Sequence, residues 1–164
     1  MQVDWATWQP TVRATLLFIL KGGKVLLIRK KRGFGKGKIN GPGGKLDPGE
    51  TELDCAIRET EEELHIRARN VRKRGELWFQ FVDGLAMHVA VFASSEFEGE
   101  ATETEEAAPL WFPVEEIPFD EMWADDRHWL HRMLVGDENF MGHFVFEGDK
   151  MLSHEVEWGD HASP

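Results

Sequence analysis

An α/β architecture, in which a mixed β-sheet carries helices on its faces, is predicted for this 164-residue chain by three observations. Apolar segments of strand length lie both before and after the middle of the chain, and glycine-containing turns join several of them. The stretch from Thr51 to Leu64 has helical periodicity, and Asp125 to Val135 repeats it more briefly. No internal repeat or low-complexity linker divides the pattern, so residues 1–164 are expected to form one domain with its core over about residues 12–157. A chain of this length can bury roughly 70% of its unfolded surface, enough for one substantial core.

Taken in order, Thr15 to Leu20 and Lys24 to Arg29 read as two strands joined at Gly22-Gly23, the shortest kind of hairpin turn. A basic, glycine-rich loop follows from Lys30 to Lys38. Its charge opposes that of the whole chain, which makes it either a place for an anion to approach or a solvated loop. After a second glycine-rich loop, Gly41 to Glu50, the Thr51 helix begins with a capping-box-like Thr51 and Asp54, and it lacks an evident stop at His65. Leu53, Ala56, Ile57, Thr60 and Leu64 should form its apolar face. Leu77 to Val82 and Leu85 to Ala93 form a hairpin candidate around Asp83-Gly84, and Leu110 to Phe112 reads as a short strand. Trp129, Leu130, Met133 and Leu134 give the second helix its spacing. Phe140 to Phe146 with Met151 to Val156 closes the chain as a hairpin, and Glu155 to Pro164 is expected to fray.

Composition excludes several roles. With 30 acids against 19 bases, the net charge of −11 argues against binding a nucleic-acid polymer, whose affinity comes from Lys and Arg on phosphates. Bound cations can still bring a polyphosphate to an acidic protein. Cys55 is the only cysteine, so no intramolecular disulfide and no four-thiolate zinc site can form, and a buried apolar role is expected for it. Met1 to Pro10 has no targeting pattern, and no stretch approaches about 20 apolar residues, so a cytoplasmic protein without membrane contact is expected. Trp5, Trp8, Trp78, Trp111, Trp129 and Trp158 read as packing residues and His88 as structural. His128, His131, His143, His154 and His161 show no two-His metal spacing tied to a third ligand.

Glu59, Glu62 and Glu63 stand at i, i+3 and i+4 and therefore share one helix face. Like charges at that spacing destabilise an isolated helix. A cation can neutralise them, and all-oxygen ligands suit Mg²⁺ or Mn²⁺. Taken alone, such a run is more often a solvated face. Its surroundings alter that reading: Gly44, five residues, Glu50, seven residues, Arg58-Glu59, two residues, Glu62-Glu63 and Ile66. This spacing resembles the Nudix box, with Thr60 in place of the usual aliphatic residue and His65 in place of the usual glycine.

The resemblance implies a Nudix fold, a mixed sheet sandwiched between helices with a loop-helix-loop motif. It implies that Glu59, Glu62 and Glu63 are catalytic and hold the divalent cation, assisted by a backbone carbonyl near Gly43. Gly44, Glu50 and Arg58 would be structural, the last two pairing to fix the loop. Glu62 or Glu63 would take the proton of the attacking water. Further segments, Lys30 to Phe34, Asn40 to Lys45 and Ile117 to Asp126, resemble the 8-oxo-dGTP diphosphatase branch, and the likeness runs from about Thr15 to Glu155. By that likeness Asn40, Trp123, Asp125 and Asp126 line a base pocket, with Thr15, Phe34 and Phe79, while Lys30, Gly43, Gly44 and Lys45 also face substrate. Glu106 would add a metal-side carboxylate. Other roles compete: Trp123 as core, Asp125 as a helix N-cap and Glu106 as a loop acid.

The implied activity is Mg²⁺-dependent hydrolysis of oxidised purine nucleoside triphosphates to the monophosphate and pyrophosphate by a monomer. Two alternatives stand beside it: a Nudix enzyme for another diphosphate-linked substrate, and a non-catalytic nucleotide sensor, which would be expected to lose one of the three carboxylates that this chain keeps.

Overall fold

The computed structural model describes residues 1–159; Asp160 to Pro164, half of the segment expected to fray, lie outside the described residues. Eleven strands and two α-helices occur in the order β1 (Val12–Lys21), β2 (Lys24–Lys30), β3 (Ile39–Asn40), β4 (Gly43–Lys45), α1 (Glu52–Leu64), β5 (Arg67–Arg69), β6 (Arg72–Phe81), β7 (Ala86–Ser94), β8 (Glu96–Glu98), β9 (Ala107–Pro113), α2 (Leu130–Val135), β10 (Phe140–Glu147) and β11 (Lys150–Trp158). The main sheet runs β11-β10-β6-β7-β1-β2-β3, with β4 also paired to β1 and β9 to β2. It is mixed, as the sequence predicts: β1 with β7 and β10 with β6 are parallel, and the other pairs are antiparallel. The short strands β5 and β8 form a separate pair.

Alternation along β1 sorts the core into two layers. Leu17 and Ile19 join Ala56, Leu64 and Ile66 beneath α1, whereas Phe18 points to the other face and packs with Trp129, Met133, Phe140 and Phe144 beside α2. The two-residue period of a strand is what places consecutive apolar residues in different cores. Gly22 and Gly23 both take positive φ, as the tight β1-β2 turn requires.

Helix α1 starts where the sequence predicts. The Thr51 hydroxyl accepts the Asp54 N–H at 3.1 Å and so satisfies one free donor of the first turn. Thr60 is buried and donates its hydroxyl to the Ala56 carbonyl at 2.9 Å, which explains how this position tolerates a polar residue facing the core. Leu53 departs from the expected apolar face and is 41% exposed. It sits in the first turn, beyond the edge of the sheet core.

Three other expectations are corrected. The helix expected from Asp125 is a three-residue 3₁₀ turn, Asp126–His128, followed by the six-residue α2. Asp125 caps nothing with its side chain, because its carboxylate accepts the indole N–H of Trp129 instead. Glu155 to Trp158 do not fray, since they complete β11 against β10.

His65 ends α1 in the left-handed conformation, φ 62° and ψ 30°, with its N–H bonded to the Glu61 carbonyl. A side chain there costs about 1–2 kcal/mol, partly offset by the extra unfolded-state freedom of a glycine. His65→Gly should therefore stabilise the protein by about 0.5–1 kcal/mol, read as a rise in the urea midpoint at unchanged slope. A lower midpoint would show that the His65 side chain contributes more than its backbone strain costs.

Candidate active site

The loop-helix-loop is organised around Arg58. Its guanidinium donates to both oxygens of Glu50, at 2.7 and 2.9 Å, and also to Glu59 at 2.8 Å, to Glu62 at 3.2 Å and to the Lys45 carbonyl. Hydrogen bonds from Arg58 and from the Asp47 N–H hold the Glu50 carboxyl down at about 2, and Glu50 in return raises Arg58 further. This fork ties the loop before the helix to the helix itself.

Two glycines of β4 let the loop approach the helix closely. A side chain on Gly43 would stand 1.9 Å from the Thr15 carbonyl oxygen, and one on Gly44 would stand 2.4 Å from the carboxyl of Glu59. With both bare, the Gly43 N–H reaches Glu63 at 2.8 Å. The contact between Gly43 and the helix thus runs through its N–H. Burial pushes Glu63 up to about 8, against the Gly43 bond and the nearby Lys30, which lower it. Burial also raises Glu59, and the charges of Glu62 and Glu106 act in the same direction. Glu106 is thereby placed in the field of the helix carboxylates, although its own oxygen is paired with Arg32 at 3.2 Å. Glu62 is the exposed member of the group.

On the other side of Gly43 and Gly44 lies a cavity of about 150 Å³, some ten times the ~10–15 Å³ that one water needs. Thr15, Lys30, Phe34, Asn40, Gly43, Gly44, Lys45, Phe79, Trp123, Asp125 and Asp126 all line it. Glu59, Glu62, Glu63 and Glu106 do not; the glycine strand and Lys30 stand between their cluster and the cavity. Lining residues that the sequence did not single out include Leu77, Phe81, Met87, Val89 and Phe146. Leu77 and Phe81 follow from the two-residue period through Phe79 in β6, and Met87 and Val89 from the same period in β7. Phe146 comes from a strand far along the chain, and nothing in the sequence marks it.

Trp123 is held by its neighbours, with the Phe34 ring stacked on it at 5.0 Å and 11° and the rings of Phe81 and Phe146 meeting it edge-on. The Lys38 ammonium lies 5.1 Å from the indole centroid. Gly35 stays bare where a side chain would crowd the Trp123 indole nitrogen at 3.1 Å and Asn40 at 3.4 Å. Asp125 and Asp126 are the polar floor, both buried. Burial pushes Asp125 up to about 6, while the Trp129 indole N–H, at 3.0 Å, favours its ionised form. Burial and the charge of the neighbouring Asp125 raise Asp126 well above the usual carboxylate range. Two acids in one dry site cannot both ionise cheaply, so the pair holds a proton between them.

A NUDIX domain model matches residues 10–133, most of the chain. The chain belongs to the Nudix family. An oxidized purine nucleoside triphosphate hydrolase of Danio rerio is 41% identical over 145 residues, covering 87% of this chain and 92% of the relative. Its Mus musculus counterpart is 41% identical over 144 residues, with the same coverage. Among solved structures, a MutT protein from Bacillus halodurans superposes with a TM-score of 0.79 at 28% identity, over 89% of this chain and 97% of its own. Nudix proteins of this kind are hydrolases that generally use a divalent cation and act on small nucleotides. No helix among the described residues is long and apolar enough to cross a membrane.

The acid pair carries a stability signature. Because burial raises both pKa values, the folded state holds protons that the unfolded chain releases near pH 3.8. Stability from this pair is complete below that pH and falls as pH rises through about 6 and beyond. Asp126→Asn keeps a donor toward Asp125 and abolishes one of the two titrations. Relative to wild type, this variant should gain on the order of 1–3 kcal/mol between pH 4 and pH 7, read from urea midpoints across the range. A constant difference at all pH values would show that the pair does not titrate as described.

Proposed function

We propose that this Nudix hydrolase cleaves oxidised purine nucleoside triphosphates, of the 8-oxo-dGTP and 2-hydroxy-dATP type, into the monophosphate and pyrophosphate. The observation that carries this reading is the buried Asp125-Asp126 pair, which offers one donor and one acceptor inside a cavity whose lining is mainly aromatic and aliphatic. Oxidation of a purine changes the pattern of donors and acceptors along its edge; at C8 it turns the N7 acceptor into an N–H donor and adds a carbonyl acceptor. A carboxyl pair that moves its proton can match either pattern, and Asn40 adds an amide on the same wall. The 41% identical relatives, which are oxidized purine nucleoside triphosphate hydrolases, support the same substrate class.

Trp123 supplies the ring against which a purine packs, with Phe34 fixing its plane. Lys30 and Lys45, at the glycine-strand end of the cavity, face the phosphate chain. The donor set of Glu59, Glu62, Glu63 and Glu106 is all oxygen, and the burial that raises Glu59 and Glu63 is relieved by a cation at that point, so these residues fit Mg²⁺ or Mn²⁺. Such an ion, when bound, polarises phosphate oxygens and lowers the pKa of an attacking water. Arg58 and Glu50 are positioning residues that hold Glu59 and Glu62 at the end of the glycine strand. Glu62 or Glu63 accepts the proton of the water, whose oxygen forms the new bond to phosphorus as the bond to the leaving pyrophosphate oxygen breaks.

Four measurements test this reading. Pyrophosphate release from a panel of normal and oxidised nucleoside triphosphates should favour the oxidised purines, and chromatography of early products should show monophosphate and pyrophosphate. Orthophosphate as the first product would overturn the cleavage position. Glu62→Gln and Glu63→Gln should each lower turnover by on the order of 10²-fold with the fold intact; near-normal turnover by both in saturating Mg²⁺ would remove this helix from the chemistry. Asp125→Asn fixes the donor pattern, so it should change the ratio of kcat/KM for 8-oxo-dGTP over 2-hydroxy-dATP by about tenfold or more. Trp123→Ala should lower both together. An unchanged ratio in Asp125→Asn would place base selection elsewhere.

A further inference from the structure

A second cluster of ligating groups lies on the face of the sheet that α1 covers. Glu76 in β6 is paired with Ala90 of the helix-side core, and His88 in β7 is paired with Trp78, so strand alternation turns both side chains toward the helix. Glu52, the first residue of α1, meets them there. His88 Nε2 lies 3.1 Å from Glu76 Oε1, and Nδ1 lies 3.7 Å from Glu52 Oε2. One donor atom from each of the three residues falls within 4.8 Å of the other two.

We propose that Glu52, Glu76 and His88 form a second divalent-cation site, of the Zn²⁺ class, that clamps the start of α1 to β6 and β7. Burial and unmet bonding point to a ligand. His88 is 5% exposed and Glu76 is 6% exposed, yet His88 Nδ1 and Glu76 Oε2 have no hydrogen-bond partner. Native structures rarely leave such atoms unpaired, because each costs about 1–3 kcal/mol. The Lys73 ammonium, 2.9 Å from Glu76 and 3.1 Å from Glu52, stands in for the cation. Its side chain is 40% exposed and has a flexible stem, so it can withdraw into water when an ion arrives. Once it leaves, the two carboxylates carry the charge that a divalent ion balances, and the imidazole supplies a nitrogen ligand.

The donor set separates this site from the box. One imidazole nitrogen with two carboxylate oxygens suits Zn²⁺, Co²⁺ or Ni²⁺, whereas the all-oxygen box suits Mg²⁺. Glu52 and Glu59 are seven residues apart on α1, which at 1.5 Å per residue puts the two sites about 10 Å apart along the axis. A packed Trp78 ring, 5.3 Å from the His88 ring, restrains the imidazole.

The test is a Co²⁺ titration of the full chain in saturating Mg²⁺, followed by visible absorption and by the imidazole NMR signals of His88. One equivalent should bind, perturb the His88 resonances and be displaced by Zn²⁺. Glu62→Gln should leave that binding unchanged, and Glu52→Gln should weaken it by about tenfold or more. Glu52 begins a helix at the surface, so this variant does not disturb the core as His88→Gln does. Unmoved His88 resonances, or Co²⁺ binding as tight in Glu52→Gln as in wild type, would overturn the proposal.

Discussion

The close approach of β4 to α1 at Gly43 and Gly44 is the constraint on which the site depends. Two main-chain residues without side chains occupy space that a single Cβ would take from the Thr15 carbonyl on one side and the Glu59 carboxyl on the other. That contact brings a buried carboxylate, Glu63, within reach of a backbone N–H, and it makes the same short strand one wall of the cavity. Helix carboxylates and cavity are therefore built from one piece of backbone. In the proposed function a phosphate chain follows the strand past Lys45 and Lys30 from one to the other.

Around that contact the protein gathers charge that water would otherwise disperse. Arg58 balances three glutamates from the helix and the loop, and the remaining acid, Glu63, is left in surroundings that favour its neutral form. The base end of the cavity uses the same physics without a cation. Asp125 and Asp126 are neutralised by sharing a proton, with the Trp129 indole directing which of them ionises. In both places burial raises carboxyl pKa values, and in the proposed function the relief is a metal at one end and a polar base edge at the other.

Much of this was legible in the sequence where the physics is local. The Thr51 cap, the positive-φ glycine turn at Gly22-Gly23, the alternation of β1 and the helical period that aligns Glu59, Glu62 and Glu63 are all set by neighbours within a few residues. What was not legible is non-local. The brief strands β3 and β4 exist because β1 and β2 pair with them; Ile39 apart, their own composition of glycine, lysine and asparagine has no strand character. Asp125 has the residue type and position of a helix cap, and it is the packing of Trp129, four residues on, against Phe18 and Phe140 that makes it an acceptor for an indole instead. Phe146 reaches the cavity through the parallel pairing of β10 with β6, a contact that no sequence period encodes.

The most direct test of the role given to the glycine strand is the Gly44→Ala variant, with turnover of 8-oxo-dGTP measured in saturating Mg²⁺ alongside circular dichroism and a urea melt. The added methyl would stand 2.4 Å from the Glu59 carboxyl, whose side chain must swing away, whereas the backbone of β4 has room to keep its pairing with β1. A native spectrum with turnover lowered by on the order of 10²-fold is predicted. Turnover near that of wild type in a folded variant would contradict the account, because the helix carboxylates would then not depend on the bare backbone that faces them.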